Sequence, residues 1–219
     1  MTISELAGFI TRKLQKQDAT SVQFCKDAIR NRWQIVWESR LWRQSMPPTP
    51  VTMPVAAGTT LLTIDASIDR VVALRFGPHT TLVPDNWESL FREDPSWYER
   101  VGAPLGFIQA GRNANGQVMI KLTSIPNVSD TLLVIGKMAF PACANDTDSP
   151  SQYLDGVSGV LLAFGEGDML ERQERRQAAL SKFTEATALM ATMESLQNEQ
   201  SAQNFQMSPN TVEIYPYEW

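Results

Sequence analysis

One histidine, His79, and two cysteines, Cys25 and Cys143, are all that this 219-residue chain holds of the side chains most used in metal ligation and nucleophilic catalysis. The cysteines lie far apart and form no Cys-x-x-Cys pair, which argues against a disulfide framework or zinc site and for two reduced, packed thiols. Also missing is any apolar run near the roughly 20 residues that span a bilayer. The first stretch, MTISELAGFITRKLQKQ, is charged and amphipathic where a signal peptide carries an apolar segment, so a soluble protein made in a cytoplasm, with no membrane partner, is expected. An excess of basic charge is lacking too: 19 Lys and Arg stand against 24 Asp and Glu, a net charge of -5, which is the wrong sign for a dedicated duplex binder.

Motifs for chemistry come only as near misses. DGVSGV around Ser158 resembles a nucleophile elbow but lacks the second glycine at the right spacing and follows a helix start. Asp146 and Asp148 in NDTDSP have neither the glycine nor the distal glutamate of an EF-hand loop, and read as a cap region for the helix that follows. Gly156, Gly159, Gly165 and Gly167 match neither a Walker loop nor a dinucleotide fingerprint. His79, beside Pro78 in a predicted turn, reads as an exposed structural residue. No catalytic, cofactor or metal residues are assigned, and no enzyme activity or cofactor is expected.

What the chain does have is 43% hydrophobic residues in two kinds of pattern. Thr2 and Glu5 have capping-box spacing, and Ile3, Leu6, Phe9, Ile10 and Leu14 then share a helical face. After Asp18 a longer helix places Val22, Cys25, Ile29, Trp33, Val36 and Trp37 on one stripe continued by Leu41, and the prolines of MPPTPVTMP stop it. Trp33, Trp37 and Trp42 at such spacing read as core aromatics rather than a stacking set for bases. Beyond the prolines the period turns to two: TTLLTI, RVVALRF, LGFIQAG, QVMIKL and DTLLVIGKMAF are strand candidates, the last the most buried. Asp85 and Glu88 suggest a capping box for a short helix, and Asn115-Gly116 a tight hairpin.

From Pro150 the pattern is helical for about fifty residues, with Gly165 and Gly167 as the expected weak points. Ala179, Phe183, Ala186, Met190 and Met193 alternate spacings of four and three, a narrow seam able to meet the chain's own N-terminal helices or a neighbouring subunit. Phe183, Ala186, Met190 and Met193 are accordingly the expected subunit-packing residues. The fold class is α+β: a helical bundle with a long C-terminal helix and an inserted small antiparallel β-domain. Its segments are 1–46 (N-terminal helices), 47–149 (β-rich insertion), 150–200 (C-terminal helical region) and 201–219 (extended tail).

Charge is divided along the chain. Lys and Arg number 8 against 4 Asp and Glu in residues 1–46, and 4 against 10 in residues 151–219. The favoured reading packs the basic N-terminal helices beside the acidic C-terminal one or sets them against an acidic partner. The alternative, a small nucleic-acid-binding module, needs Arg12, Lys13, Lys16, Arg30, Arg32, Arg40 and Arg43 to face phosphates.

The order of elements carries a resemblance. Asp85 and Trp87 precede a Gly-x-Pro step at Gly102, Ala103 and Pro104; a strand from Leu122 to Pro126 follows, then a last strand and a long helix rich in Glu, Arg and Ala. Over residues 84–195 this series resembles the bacteriophage head-to-tail adaptor (connector) proteins, with Phe107 and Lys137 where those have tyrosines. The resemblance implies a virion structural protein of the neck. It would form a homo-oligomeric ring, usually of twelve copies, beneath the portal protein, extend the channel through which DNA passes without sequence-specific binding, and present a platform to a downstream tail or nozzle protein. The terminal TVEIYPYEW carries apolar side chains on both faces of an extended strand, and Val212, Ile214, Tyr215, Tyr217 and Trp219 are the expected partner-binding residues.

Overall fold

The computed structural model describes residues 1–206, with side chains to residue 197. In chain order its helices are α1 (Ile3–Lys13), α2 (Ala19–Ser39), α3 (Trp87–Glu93), α4 (Val157–Arg172) and α5 (Arg176–Gln206). The strands are β1 (Val51–Val55), β2 (Leu61–Thr63), β3 (Ile68–Phe76), β4 (Thr80–Asp85), β5 (Gly106–Arg112), β6 (Val118–Leu122) and β7 (Asp130–Met138). The fold is α+β. The chain divides into two compact units: Met1–Arg43 together with the chain from Ala142 onward, and Gln44–Pro141. Among the described residues no helix is long and apolar enough to cross a membrane.

In the helical unit, α1 begins on the expected capping box, the Thr2 side chain accepting from the Glu5 N–H and the Glu5 carboxylate from the Thr2 N–H. Ile3, Leu6 and Ile10 are buried, whereas Phe9 lies off the buried face and is exposed. α2 starts on Asp18, whose carboxylate accepts from the Ser21 N–H. It stops at Ser39, well before the prolines expected to end it, and the Trp42 indole N–H donates to the Val36 carbonyl left open by that stop (2.8 Å). The early stop puts Leu41 in solvent and Trp42 in the core beside Trp33 and Trp37, which meet edge to face at 5.4 Å. The segment 142–149 does not cap the helix that follows it. The carbonyls of Asp146 and Asp148 accept from the N–H groups of Ser4 and Ile3, so this loop caps α1, while α4 has Gly156 at its N-cap.

The long helical region is interrupted, but not at its glycines. Gly165 and Gly167 lie inside α4, where they permit close approach: a Cβ at Gly165 would sit 2.7 Å from Ile10 Cδ1, and one at Gly167 would sit 2.4 Å from Phe183 Cε1. The break falls at Gln173–Arg175. There Glu174 takes a left-handed φ of +61°, its N–H donates to the Glu171 carbonyl, and the Arg175 N–H donates to the Leu170 carbonyl. That pair of bonds is a Schellman stop, normally built on glycine. α1 ends the same way, with Gln15 at φ +55°, its N–H on the Arg12 carbonyl and the Lys16 N–H on the Thr11 carbonyl. α5 then runs to Gln206, past the expected end near residue 200.

The β unit is a seven-stranded sheet of order β1-β7-β3-β4-β5-β6-β2. All pairs are antiparallel except β4 with β5, whose parallel pairing requires the crossover through residues 86–105 that holds α3. β7 is paired on both sides, and its Leu132 and Val134 join Ile64, Leu74, Val118 and Ile120 in one core. β1 carries Pro54 and lies at the sheet edge, the place where a residue without an N–H is tolerated. The hairpin expected at Asn115-Gly116 forms between β5 and β6. Within its turn, residues 113–117, Gly116 takes positive φ (+77°) and Asn115 does not, and the Gly116 N–H closes the turn on the Asn113 carbonyl. Asn86, not Asp85, caps α3, accepting from the Ser89 N–H, because Asp85 is the last residue of β4.

Candidate functional site

The basic residues of the N-terminal helices are largely engaged within the helical unit. Arg32 grips Asp168 through two bonds, Nε to Oδ2 at 2.9 Å and a terminal nitrogen to Oδ1 at 2.5 Å. Arg40 pairs with Glu194, and Lys26 and Arg30 share Asp146 at 2.5 and 2.6 Å. Lys13 reaches Glu166, only 4% exposed, which also receives Lys182 at 3.2 Å. The hydrogen bond from Lys26, then that from Arg30, holds the Asp146 carboxyl below its ordinary range, and the bond to Asp168 raises the Arg32 guanidinium further. The charge division read from the sequence is thus matched by ion pairs from α1 and α2 to α4, α5 and the 142–149 loop.

Between α2 and α4 runs a groove of about 680 Å³ lined by Phe24, Ala28, Arg32, Ile35, Asp168 and Arg172, among others. Its cations are in use: Arg32 is held by Asp168, and the Arg172 guanidinium lies 4.5 Å from the centre of the Phe24 ring.

The near misses are also placed. Ser158 Oγ lies 2.7 Å from Ser151 Oγ in the helical unit, whereas His79 is exposed in the turn between β3 and β4 of the other unit. Asp146 is an ion-pair anchor, and Asp148 accepts from the Asn145 N–H. Burial pushes the Cys25 thiol up to about 12 and the Cys143 thiol up to about 11, away from a reactive thiolate.

Ala186 and Met193 are buried on α5, while Phe183 and Met190 are half-buried. Their face meets α4 of the same chain. The Phe183 ring lies over Gly167 and 6.3 Å from the Phe164 ring, and Met193 lies over Gly156. The seam expected to serve subunit packing therefore has an intramolecular partner. Val212, Ile214, Tyr215, Tyr217 and Trp219, expected to bind a partner, lie outside the described residues.

One cluster was not singled out in the sequence. In the β unit, buried Trp97 is ringed edge-on by Trp87, Phe91 and Tyr98, with centroids 5.6, 6.1 and 6.2 Å away, and these three remain 41%, 49% and 46% exposed. Lys121 Nζ lies 5.0 Å from the centre of the Trp97 ring and 5.3 Å from that of Trp87. Exposed aromatics of this kind, here in the β4–β5 crossover, are the residue types enriched where proteins meet. The signal available was four aromatics within residues 87–98.

Among the described residues, neither unit brings together a nucleophile, a base and an orienting group. Their features are ion-paired helices, close glycine contacts and an aromatic surface. No curated protein matches the chain. The family model described as SU10 adaptor protein matches residues 1–213. With nearly the whole chain covered, the protein belongs to the SU10 adaptor protein family, whose members are structural adaptors of bacteriophages.

Proposed function

We propose that this protein is the head-to-tail adaptor of a bacteriophage neck: a ring, of about twelve copies by the resemblance of its element order, that docks beneath the portal, extends the DNA channel and receives the tail or nozzle. The observation that carries this reading is the family match over residues 1–213. Two features support it. Net charge of -5 suits a conduit through which DNA slides without being gripped. The exposed Trp87, Phe91 and Tyr98 give the β unit a surface suited to a protein neighbour. The nucleic-acid-binding alternative loses ground because Lys13, Lys26, Arg30, Arg32 and Arg40 are paired with carboxylates of the same chain.

Within this reading, residues 208–219 hook the subunit to the portal or to a neighbour, through Val212, Ile214, Tyr215, Tyr217 and Trp219. The test is native mass measurement of the full chain, alone and with portal-bearing heads. Particles near twelve times 24.5 kDa, or uptake onto heads, are expected. A chain that stays monomeric and ignores the heads overturns the proposal. Deleting residues 208–219 should leave a folded subunit that loads poorly.

A further inference from the structure

The sheet of the β unit is folded over on itself. β3 and β6 stand three places apart in its strand order, about 14 Å if the sheet were flat, yet Cα atoms of the two strands approach within 8 Å. The Arg112 guanidinium of β5 donates across to the Asp69 carboxylate of β3 (2.7 Å), and buried residues of all seven strands share one core. The halves β1-β7-β3 and β5-β6-β2 thus face each other across that core, and their outer surfaces point in opposite directions.

The outer surface of the β5–β6 half is covered. Ile108 is buried with Leu90 and Trp97, and Lys121, opposite Ile108 in register, lies against the Trp97 and Trp87 rings. Trp87, Phe91 and Tyr98 project from this layer, in a crossover (residues 85–100) with five Asp and Glu against two Arg. Among the described residues, no element of the unit covers the outer surface of the other half. Leu132 and Val134 point into the core, so Leu133 and Ile135 point outward, paired with Arg75 and Ala73, on the surface that also holds Val83. Ile135 is 40% and Val83 64% exposed. Between these residues is a hollow of about 190 Å³, lined by Ala73, Arg75, Leu133 and Ile135 among others. It is below the roughly 300 Å³ at which small-molecule sites begin, and suited to one large side chain. Arg75 has no hydrogen bond or ion pair among the described residues.

One surface is projecting, aromatic and acidic; the other is hollow, aliphatic and carries a free guanidinium. Lying on opposite sides of one unit, they cannot meet within a chain. Their meeting between copies is the heterologous, head-to-tail relation that generates a ring when it closes. We propose that each β unit docks its crossover on the bare sheet of the next copy: Phe91 enters the hollow, Trp87 and Tyr98 lie on the apolar surface around it, and Arg75 meets Glu88. Glu88 lies one helical turn before Phe91, and its bond to Arg92 joins two exposed groups and is easily exchanged. This joint rests on the ring of the proposed function and names the two surfaces that close it.

Full-length chains carrying Phe91→Glu or Ile135→Glu test it, since each spoils one surface and leaves the other intact. Both positions are exposed, so the subunits should fold. Each variant alone should form about tenfold fewer oligomers than the wild type by native mass. Mixed, the two should pair through their intact surfaces and stop at a heterodimer of twice 24.5 kDa. Rings that persist in either variant, or variants that lose rings without pairing, overturn this joint and leave the ring standing. So does a variant that assembles normally but no longer loads onto portal-bearing heads, which gives the aromatics to the portal. A wild type that forms no oligomer, alone or on heads, overturns both.

Discussion

The two units reverse the chain with different residues. In the β unit each positive-φ position is a glycine: Gly58, Gly77, Gly102, Gly111 and Gly116. In the helical unit the stops after α1 and α4 put Gln15 and Glu174 in that conformation, while Gly165 and Gly167 sit inside α4 where neighbouring side chains come closest. The sheet's reversals are thus written into the local sequence. The stops after α1 and α4 are instead imposed by packing between elements distant in sequence. Among the described residues, the helical unit uses a left-handed glycine only where the chain enters α4, at Gly156 (φ +78°), and places Gly165 and Gly167 at close contacts.

The largest effect should come from filling a close contact. Gly167→Val pushes against the Phe183 ring, and overpacking of this kind costs about 3 kcal/mol. Denaturant unfolding of the helical unit should show it, and adding Phe183→Ala should restore part of the loss. A valine chain as stable as the parent would break the contrast between the units. Next, Gly58→Ala and Gly116→Ala meet no atom within 4 Å, so their cost is backbone strain alone, about 1–2 kcal/mol each, read on unfolding of the β unit.

Acid should reach both units by different routes. Asp146 is held below 3.8 mainly by Lys26, far away in sequence, whereas Asp94 is held below 3.8 mainly by the Ser96 N–H two residues on. A depressed folded value contributes stability that is complete above the unfolded value near 3.8 and is lost as pH falls through the folded one. Stability should therefore stay level from neutral to about pH 4 and drop below it. Lys26→Met should flatten that drop in the helical unit only, as checked by unfolding across pH. The smallest effect is a gain. Gln15→Gly and Glu174→Gly each relieve a left-handed side chain and should stabilise the helical unit by about 1 kcal/mol or less, seen as a rise in Tm.

The same contrast explains what could be read in advance. The Thr2–Glu5 capping box, the tryptophan stripe of α2, the strands at β3, β5, β6 and β7 and the sign of the charge division all depend on neighbours in sequence or on composition. β1 was hidden because Pro54 reads as a breaker until the strand is known to lie at an edge. The end of α2 at Ser39 depends on Trp42 turning back to Val36, and the capping of α1 depends on a loop some 145 residues away. The stop at Glu174 had no local signal at all. Of the candidate surfaces, the α5 seam was visible as a period but not its partner. The aromatics around Trp97 are close in sequence, but the break between α3 and the turn at 97–99 hides which faces meet, and Lys121 joins them only through the strand pairing of β5 with β6.

The pairing of β1 with β7 bears on the order in which the molecule folds. Val51, where the chain enters the sheet, lies opposite Val134, shortly before the chain leaves it. About one hundred residues separate the two parts of the helical unit, and bonds such as Arg32–Asp168 must close over that loop. Once β1 has paired with β7, the slack that remains is about fourteen residues, which lowers the entropic cost of closure by about 2 kcal/mol. The inserted sheet thereby acts as a clasp, making distant helices near neighbours before they touch. Its formation should precede theirs in refolding, with the Trp87 and Trp97 signals recovering before those of Trp33 and Trp37.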